Sequence, residues 1–142
     1  MVEGPEITCS CEVPLTFGDL DPMGIVWHGN YVKFLEHGRE AFGHAHGLDG
    51  MDLFRLGWYT PIVHTRIDHK AMLEYGDTVI VETRFVPNPA AKIVLRYTLR
   101  SKNTGAVVAE AETIQVFLDH DKKLVLLPPP PFTEWKSRHG LN

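Results

Sequence analysis

This sequence of 142 residues has no long apolar run and no excess of basic residues. No stretch approaches the roughly 20 apolar residues of a membrane-spanning helix, and Met1 to Ile7 lack the basic start and apolar core of a signal peptide. We therefore expect a cytoplasmic protein that does not insert into a membrane. The net charge of −4 leaves no basic surplus to neutralise phosphates, which argues against a nucleic-acid partner.

Cysteine is scarce, and neither cysteine nor histidine falls into a ligand pattern. Cys9 and Cys11 are too close together for ordinary disulfide geometry, so we interpret them as small apolar side chains. The eight histidines show no metal-binding spacing such as H-E-x-x-H. His44 and His46 are the closest pair, but two positions apart on a helix they face different directions. The sequence therefore predicts no metal and no other cofactor.

The periodicity of apolar residues predicts a strand followed by a long helix. Residues 7–17 alternate between apolar and polar side chains, as in a strand with one buried face. Pro14 favours an edge position in the sheet because it cannot donate to a ladder. The helix has about 17 residues, with Asn30 as N-cap and Gly47 as its C-terminal stop. On the apolar face of this helix, Gly38 indicates the close approach of another backbone.

After Gly57 the pattern is typical of strands. The short connections between these strands exclude parallel crossovers, so we expect a mainly antiparallel sheet with the helix packed on it. A change of apolar parity near Glu112 predicts a bulge in the last long strand. The four prolines at 128–131 are predicted to end regular structure. The predicted strands are Ile62–His69, Asp77–Val86, Ala91–Ser101, Ala106–Leu118 and a short Leu124–Leu127.

The segment 19–31 carries the strongest functional signal. It reads Asp-Leu-Asp-Pro-Met-Gly-Ile-Val-Trp-His-Gly-Asn-Tyr. Two carboxylates, those of Asp19 and Asp21, lie beside a Pro/Gly turn and shortly before a helix start. A carboxylate can act as base or nucleophile, and free N–H groups at a helix N-terminus can hold an anion. This arrangement is suited to chemistry at a carbonyl carbon.

With this segment at a strand-to-helix junction, the sequence resembles the hotdog-fold acyl-CoA thioesterases. The resemblance is to the 4-hydroxybenzoyl-CoA thioesterase family, which includes the Tol-Pal-associated enzymes. Residues 60–63, residues 75–77 and Pro128 are similar to further segments of that family. The resemblance implies a single α+β domain over 1–142, with its core at 8–130. It also implies the hotdog fold, an antiparallel five-stranded sheet wrapped around one long central helix, and a homodimer or homotetramer.

The resemblance implies an acyl-CoA thioesterase that hydrolyses a thioester to a free acid and CoA. It assigns Asp21 as the catalytic carboxylate, either as general base on water or as nucleophile. The backbone N–H groups of the His28 and Gly29 region are implied as the oxyanion site. The imidazole of His28 is in addition a candidate for contact with the substrate.

Further candidates for substrate binding come from the same segment, from residues 60–64, which could line the acyl pocket, and from Lys92. Asn30 is interpreted first as a helix cap that also organises the site, and Trp27 and Tyr31 as pocket walls. Asp19 is interpreted as a loop residue that accepts backbone hydrogen bonds. Glu36, which lies off the apolar stripe, is expected to be exposed or at an interface. The substrate-binding candidates are Trp27, Asn30, Tyr31, Thr60, His64 and Lys92.

One segment departs from the family pattern. Where better-studied members carry basic residues that hold CoA phosphates, this chain has Pro-Asn-Pro-Ala-Ala at 87–91, followed by Lys92. Either Lys92 or Arg84 holds the phosphates, or the grip is weak, or the acyl group is carried by an acyl carrier protein. The alternative to an enzyme is a non-catalytic hotdog protein that binds acyl-CoA or acyl carrier protein. A hotdog dehydratase would need a His-based site in another motif, which the sequence lacks.

Overall fold

One five-stranded sheet runs through residues 6–141, the part of the chain that the computed structural model describes. The elements in chain order are β1 (Thr8–Pro14), α1 (Tyr31–His46), α2 (Gly50–Arg55), β2 (Ile62–His69), β3 (Thr78–Phe85), β4 (Lys92–Ser101), β5 (Val107–Val116) and α3 (Pro130–Arg138). The strand order is β1-β3-β4-β5-β2, and each neighbouring pair is antiparallel. Residues 1–5 and 142, the ends of the predicted domain, lie outside the described residues.

The sheet therefore has the antiparallel arrangement that its short connections predicted. Pro14 lies at the end of β1, which is an edge strand as expected. β2 forms the opposite edge and has the predicted bounds. Most of its side chains are exposed.

Helix α1 packs across the inner face of the sheet, mainly against β1 and β3. Its buried stripe includes Tyr31, Phe34, Leu35 and Phe42, which are at most 3% exposed. Complete burial of one such side chain contributes about 1.5–3 kcal/mol, so this stripe is a principal attachment of the helix. Gly47 ends the helix as predicted, in a left-handed conformation with φ of 73°.

Gly38 is the point of closest approach between α1 and the sheet. A Cβ atom at this position would lie 2.6 Å from both Val81 Cγ1 and Thr83 Oγ1. The close approach was predicted, but its partners are side chains of β3 rather than another backbone. A larger residue at position 38 would force the helix away from the sheet.

The bulge in β5 lies four residues before its predicted position at Glu112. Leu99 pairs with Ala109 and Arg100 with Val107, so Val108 is the extra residue. The prediction was wrong because Thr113 and Gln115 are buried polar residues on the inner face. Buried and more exposed residues alternate without interruption from Ala109 to Phe117, but the two polar residues make this alternation invisible in the pattern of apolar residues.

The proline run does not end regular structure, which corrects the sequence-based expectation. Pro130 and Pro131 begin α3, where a missing backbone N–H costs no helical hydrogen bond. Trp135 is 1% exposed and its Nε1 donates to the carbonyl of His46 at 2.7 Å, which attaches α3 to the end of α1. None of the helices in residues 6–141 is long and apolar enough to cross a membrane.

The two cysteines occupy the same face of β1 and pack against the core. Both thiols are free. Burial, with a smaller effect of neighbouring Cys9, raises the pKa of Cys11 above its ordinary value. These observations agree with their interpretation as small apolar side chains.

Asp77 connects the loop before β3 to the turn between β4 and β5. Its carboxylate accepts hydrogen bonds from the Ser101 hydroxyl, from Thr78 N at 2.7 Å and from Asn103 N at 3.1 Å. Burial by itself raises the pKa of Asp77, but these hydrogen bonds outweigh it and hold the pKa below 3.8. The ionised carboxylate therefore stabilises the folded chain.

We expect Gly38→Ala to lower the free energy of unfolding. Overpacking a core costs about 1–3 kcal/mol, which exceeds the ~1 kcal/mol that alanine gains over glycine in a helix. The matched control is Gly50→Ala in α2, where the new Cβ would meet Thr60 Oγ1 at an ordinary 3.7 Å. Urea denaturation of both variants is the measurement, and a Gly38→Ala protein as stable as the control would contradict the close approach.

We expect Asp77→Asn to lower the free energy of unfolding by about 1.5–3 kcal/mol at neutral pH, the usual contribution of hydrogen bonds to a charged group. The pKa of Asp77 is lowered on folding from its ordinary value of 3.8. This stabilisation is therefore fully present at pH values above that pKa and is lost as the pH falls through the folded-state pKa. Denaturation curves recorded at neutral and at acid pH should therefore converge for the two proteins. The exposed Asp121→Asn is the control, and a deficit that persists unchanged in acid would refute the pKa assignment.

Candidate active site

Asp21 lies in a tight turn between β1 and α1. Asp21 N donates to the Ile25 carbonyl at 2.8 Å, and Gly24 N donates to the Asp21 carbonyl at 3.0 Å. Gly24 has φ of 80°, a conformation that other residues adopt only with strain. The Pro/Gly pair in the sequence thus forms the turn that presents Asp21.

Only one of the two carboxylate oxygens of Asp21 accepts a hydrogen bond within the described residues. Its Oδ1 accepts a hydrogen bond from Met23 N at 2.8 Å, which closes an Asx turn. Within residues 6–141, Oδ2 has no hydrogen-bond partner, and the residue is partly exposed. One carboxylate oxygen is therefore held in place while the other is available to a ligand.

Asp19 joins this turn to the helix through both its carboxylate and its carbonyl. The carboxylate accepts hydrogen bonds from Thr16 N at 2.8 Å and Thr16 Oγ1 at 3.0 Å. The carbonyl accepts two more, from Trp27 N at 2.9 Å and from Asn30 Nδ2 at 2.8 Å. Asp19 therefore has the loop contacts that its sequence position predicted.

The helix begins with a 3₁₀ turn at His28–Asn30 that runs directly into α1. Asn30 N donates to Trp27 O, and Tyr31 N donates to His28 O. In the described part of the chain, no acceptor lies against the N–H groups of His28 and Gly29. These are the first donors of the helix tip, where the helix dipole adds about half a positive charge.

Trp27 covers the tip of the helix. A Cβ atom at Gly29 would lie 2.3–2.8 Å from atoms of the indole ring, so only glycine fits beneath it. The ring is half exposed and lies beside the imidazole of His28, with 5.3 Å between their centroids. Both side chains thus border the exposed donors of the tip.

A patch of exposed apolar side chains surrounds the Asp21 turn. The loop 70–77 supports the turn through a hydrogen bond from Val26 N to Leu73 O at 2.9 Å and a bridge between Ile25 and Glu74. Phe17, which the strand pattern predicted to be inward, is 79% exposed because β1 ends at Pro14. The rings of Phe17 and Tyr75 in this patch meet edge-on, with 6.2 Å between their centroids. The members of the patch are Phe17, Met23, Trp27, Met72 and Tyr75, each at least 50% exposed.

A cavity of about 990 Å³ opens between α1, the segment 48–61 and the inner face of β4 and β5. Thr60 lines it, and the Thr60 carbonyl accepts a hydrogen bond from Gln115 Nε2 at 2.8 Å. Glu36 also lines it, with an exposed side chain that pairs with Arg39. None of residues 19–31 borders this cavity. Within one chain, Thr60 and Asp21 are therefore not brought into one pocket.

The remaining candidates are dispersed. Tyr31 is 3% exposed and packs edge-on against Phe34 and His69, and burial raises the pKa of its phenol. His64 lies on the sheet face away from α1, with Nε2 3.6 Å from Glu112 Oε2. Lys92 is exposed at the start of β4. Neither His64 nor Lys92 lines the large cavity.

Sequence reasoning missed the part of the cavity wall that includes α2. Asp49 Oδ1 caps this helix by accepting Met51 N at 2.7 Å, and Asp49 Oδ2 lies 2.8 Å from His44 Nε2. An Asp before a short apolar run is an N-cap signal that was present in the sequence. The pairing with His44 has no such signal because it depends on how α2 packs.

The Thioesterase-like superfamily profile matches residues 15–136 of this chain. The chain is 27% identical over 128 residues to a putative acyl-CoA thioesterase, YneP, of Bacillus subtilis, covering 90% of this chain and 92% of that protein. It is 28% identical to 4-hydroxybenzoyl-CoA thioesterase of Pseudomonas sp. strain CBS-3, covering 75% of this chain and 80% of that protein. The crystal structure of a DHNA-CoA thioesterase from Staphylococcus aureus has a similar fold, with a TM-score of 0.82 at 22% identity, covering 92% of this chain and 89% of that chain.

The sequence-based assignment of fold and class of enzyme is confirmed by these similarities. The five-stranded antiparallel sheet with its long helix is the hotdog fold, and the predicted class is a thioester hydrolase. Since the profile spans 15–136 of 142 residues, from the end of β1 into α3, the chain belongs to the thioesterase-like superfamily.

Proposed function

We propose that this chain, as a single cytoplasmic domain, hydrolyses acyl-CoA thioesters to a free acid and CoA. The observation that carries the proposal is the free Oδ2 of Asp21 in the loop that leads to a helix tip with unpartnered N–H groups. A thioester carbonyl needs an attacking oxygen on one side and donors for the developing oxyanion on the other. The Asp21 turn and the helix tip supply one element each.

Two routes are compatible with this site. In the general-base route, Asp21 takes a proton from water as the water oxygen attacks the carbonyl carbon. In the nucleophilic route, a carboxylate oxygen of Asp21 attacks instead, the C–S bond breaks, and water then cleaves the mixed anhydride. Both routes pass through a tetrahedral oxyanion and release the CoA thiolate.

The N–H groups of His28 and Gly29 are proposed to hold that oxyanion. Loss of one such donor from an oxyanion site costs about 2.7–4 kcal/mol in the transition state. The exposed His28 imidazole and the Trp27 indole would border the reacting group, and Tyr31 would support the tip from beneath. Lys92 and Arg84 are the proposed contacts of the CoA phosphates, and an acyl carrier protein remains the alternative carrier.

The cavity lined by Thr60 is proposed to hold the acyl group while the Asp21 of a second copy of the chain acts on the thioester carbonyl. Within one chain, the catalytic carboxylate does not border this cavity. The exposed edge strand β2, in which Val63 is 60% exposed, and the apolar patch around Asp21 are surfaces that a second copy would cover. The proposed assembly is a homodimer, or a homotetramer made of two such dimers.

Asp21→Asn should lower kcat by about 10²–10⁴-fold, the usual effect of removing a general acid or base. The amide oxygen can still accept Met23 N–H, so the turn should persist and KM should change little. The assay is thiol release from a panel of acyl-CoA esters. Asp121→Asn, an exposed carboxylate beyond β5, is the matched control. Near wild-type turnover by Asp21→Asn would refute the proposal. If the wild-type protein itself releases no thiol, the result would favour a protein that binds acyl-CoA without hydrolysing it.

The shared site can be tested by complementation between two inactive variants. Asp21→Asn removes the carboxylate, and Thr60→Trp fills the cavity. In a heterodimer one of the two sites keeps both intact parts, so a statistical mixture should recover about a quarter of wild-type activity. The homodimer of each single variant is the control. Purified heterodimer without activity would contradict a site built from two chains.

A further inference from the structure

Asn30 occupies the N-cap position of α1 without capping it. Asparagine at an N-cap normally has extended backbone angles and accepts a hydrogen bond from an N–H of the first turn. Here φ is −74° and ψ is −16°, which are helical values, and the side chain makes no cap hydrogen bond. Its amide instead donates from Nδ2 to the Asp19 carbonyl at 2.8 Å.

This reversed role has two consequences for the helix tip. The Asn30 side chain does not accept from any N–H donor of the first turn, so it leaves the tip uncapped. It also ties the tip to the loop that carries Asp21, because the Asp19 carbonyl receives both Asn30 Nδ2 and Trp27 N. The Asp19 carboxylate is in turn fixed to Thr16 at the end of β1.

Burial makes this connection rigid. Asn30 is 5% exposed, so its amide cannot exchange the Asp19 carbonyl for water without a local opening of the loop. Asp21 is two residues from Asp19, and His28 and Gly29 immediately precede Asn30. The side-chain hydrogen bond of Asn30, together with that of Trp27 N to the same carbonyl, therefore connects the segment with the free carboxylate oxygen to the segment with the free donors.

We infer that Asn30 is a positioning residue for the proposed hydrolysis, rather than a contact of the substrate. It holds the loop that carries Asp21 against the helix tip that carries the His28 and Gly29 N–H groups. This inference rests on the proposed function. The observation behind it is a buried side-chain amide that binds the loop backbone two residues before Asp21.

The test is a double-mutant cycle between Asn30→Ala and Asp21→Asn, with acyl-CoA hydrolysis as the assay. Asn30→Ala should lower kcat by about 10–100-fold with little change in KM, because it disturbs geometry that matters only in the transition state. In the Asp21→Asn background, the same change should have an effect several-fold smaller. A residue with a purely structural role would lower activity by the same factor in both backgrounds.

Asn30→Asp provides a second variant of the same size. It replaces the amide donor by a carboxylate that cannot donate to the Asp19 carbonyl. Its kcat should fall at least as far as that of Asn30→Ala. Asn103→Ala, which removes another side-chain amide that donates to a backbone carbonyl, should leave kcat unchanged.

The outcomes separate this inference from the proposed function. If Asp21→Asn retains activity, the proposed function fails. If Asp21→Asn is inactive but Asn30→Ala and Asn30→Asp keep wild-type kcat, the positioning role alone is refuted. Equal losses from Asn30→Ala in both backgrounds would also refute it.

Discussion

The packing of α1 against β1 and β3 determines where everything else in this chain can lie. The helix comes so close at Gly38 that a single methyl group would collide with Val81 and Thr83. This contact fixes the direction of the helix and therefore the location of its N-terminal tip. Because β1 ends at Pro14 and α1 begins at Tyr31, the intervening loop must bring its aspartates back toward that tip.

Most polar groups of the loop form hydrogen bonds within the loop or with its neighbours, and a few remain without a partner. The backbone of Asp21 is closed into a turn, and both ends of Asp19 are bound. Among the described residues of this loop and the helix tip, one carboxylate oxygen of Asp21 and the N–H groups of His28 and Gly29 have no hydrogen-bond partner. Asp21, His28 and Gly29 are not buried, so these free groups are open to a ligand, and the proposed carbonyl-directed site rests on them.

The same architecture separates the Asp21 turn from the cavity lined by Thr60 within one chain. Helix α1 lies mainly over β1 and β3, and the large cavity opens on its other flank, beside β4, β5 and Thr60. Asp21 and its apolar surroundings lie on the loops at the tip. A long, exposed edge strand such as β2 is a surface that proteins usually cover. The proposed assembly of two or four copies of the chain rests on these features.

The sequence by itself determined the elements whose residues repeat with a clear period, together with the segment 19–31. Strand alternation and the helical stripe predict the sheet and α1 because burial depends on which face a side chain occupies. Only the tertiary structure decided the bulge at Val108, the helix that starts at Pro130, and the separation of Thr60 from Asp21. It also decided that Asn30 donates to Asp19 instead of capping its helix. Local periodicity carries no signal for these features, because each depends on contacts that the chain makes only when it is folded.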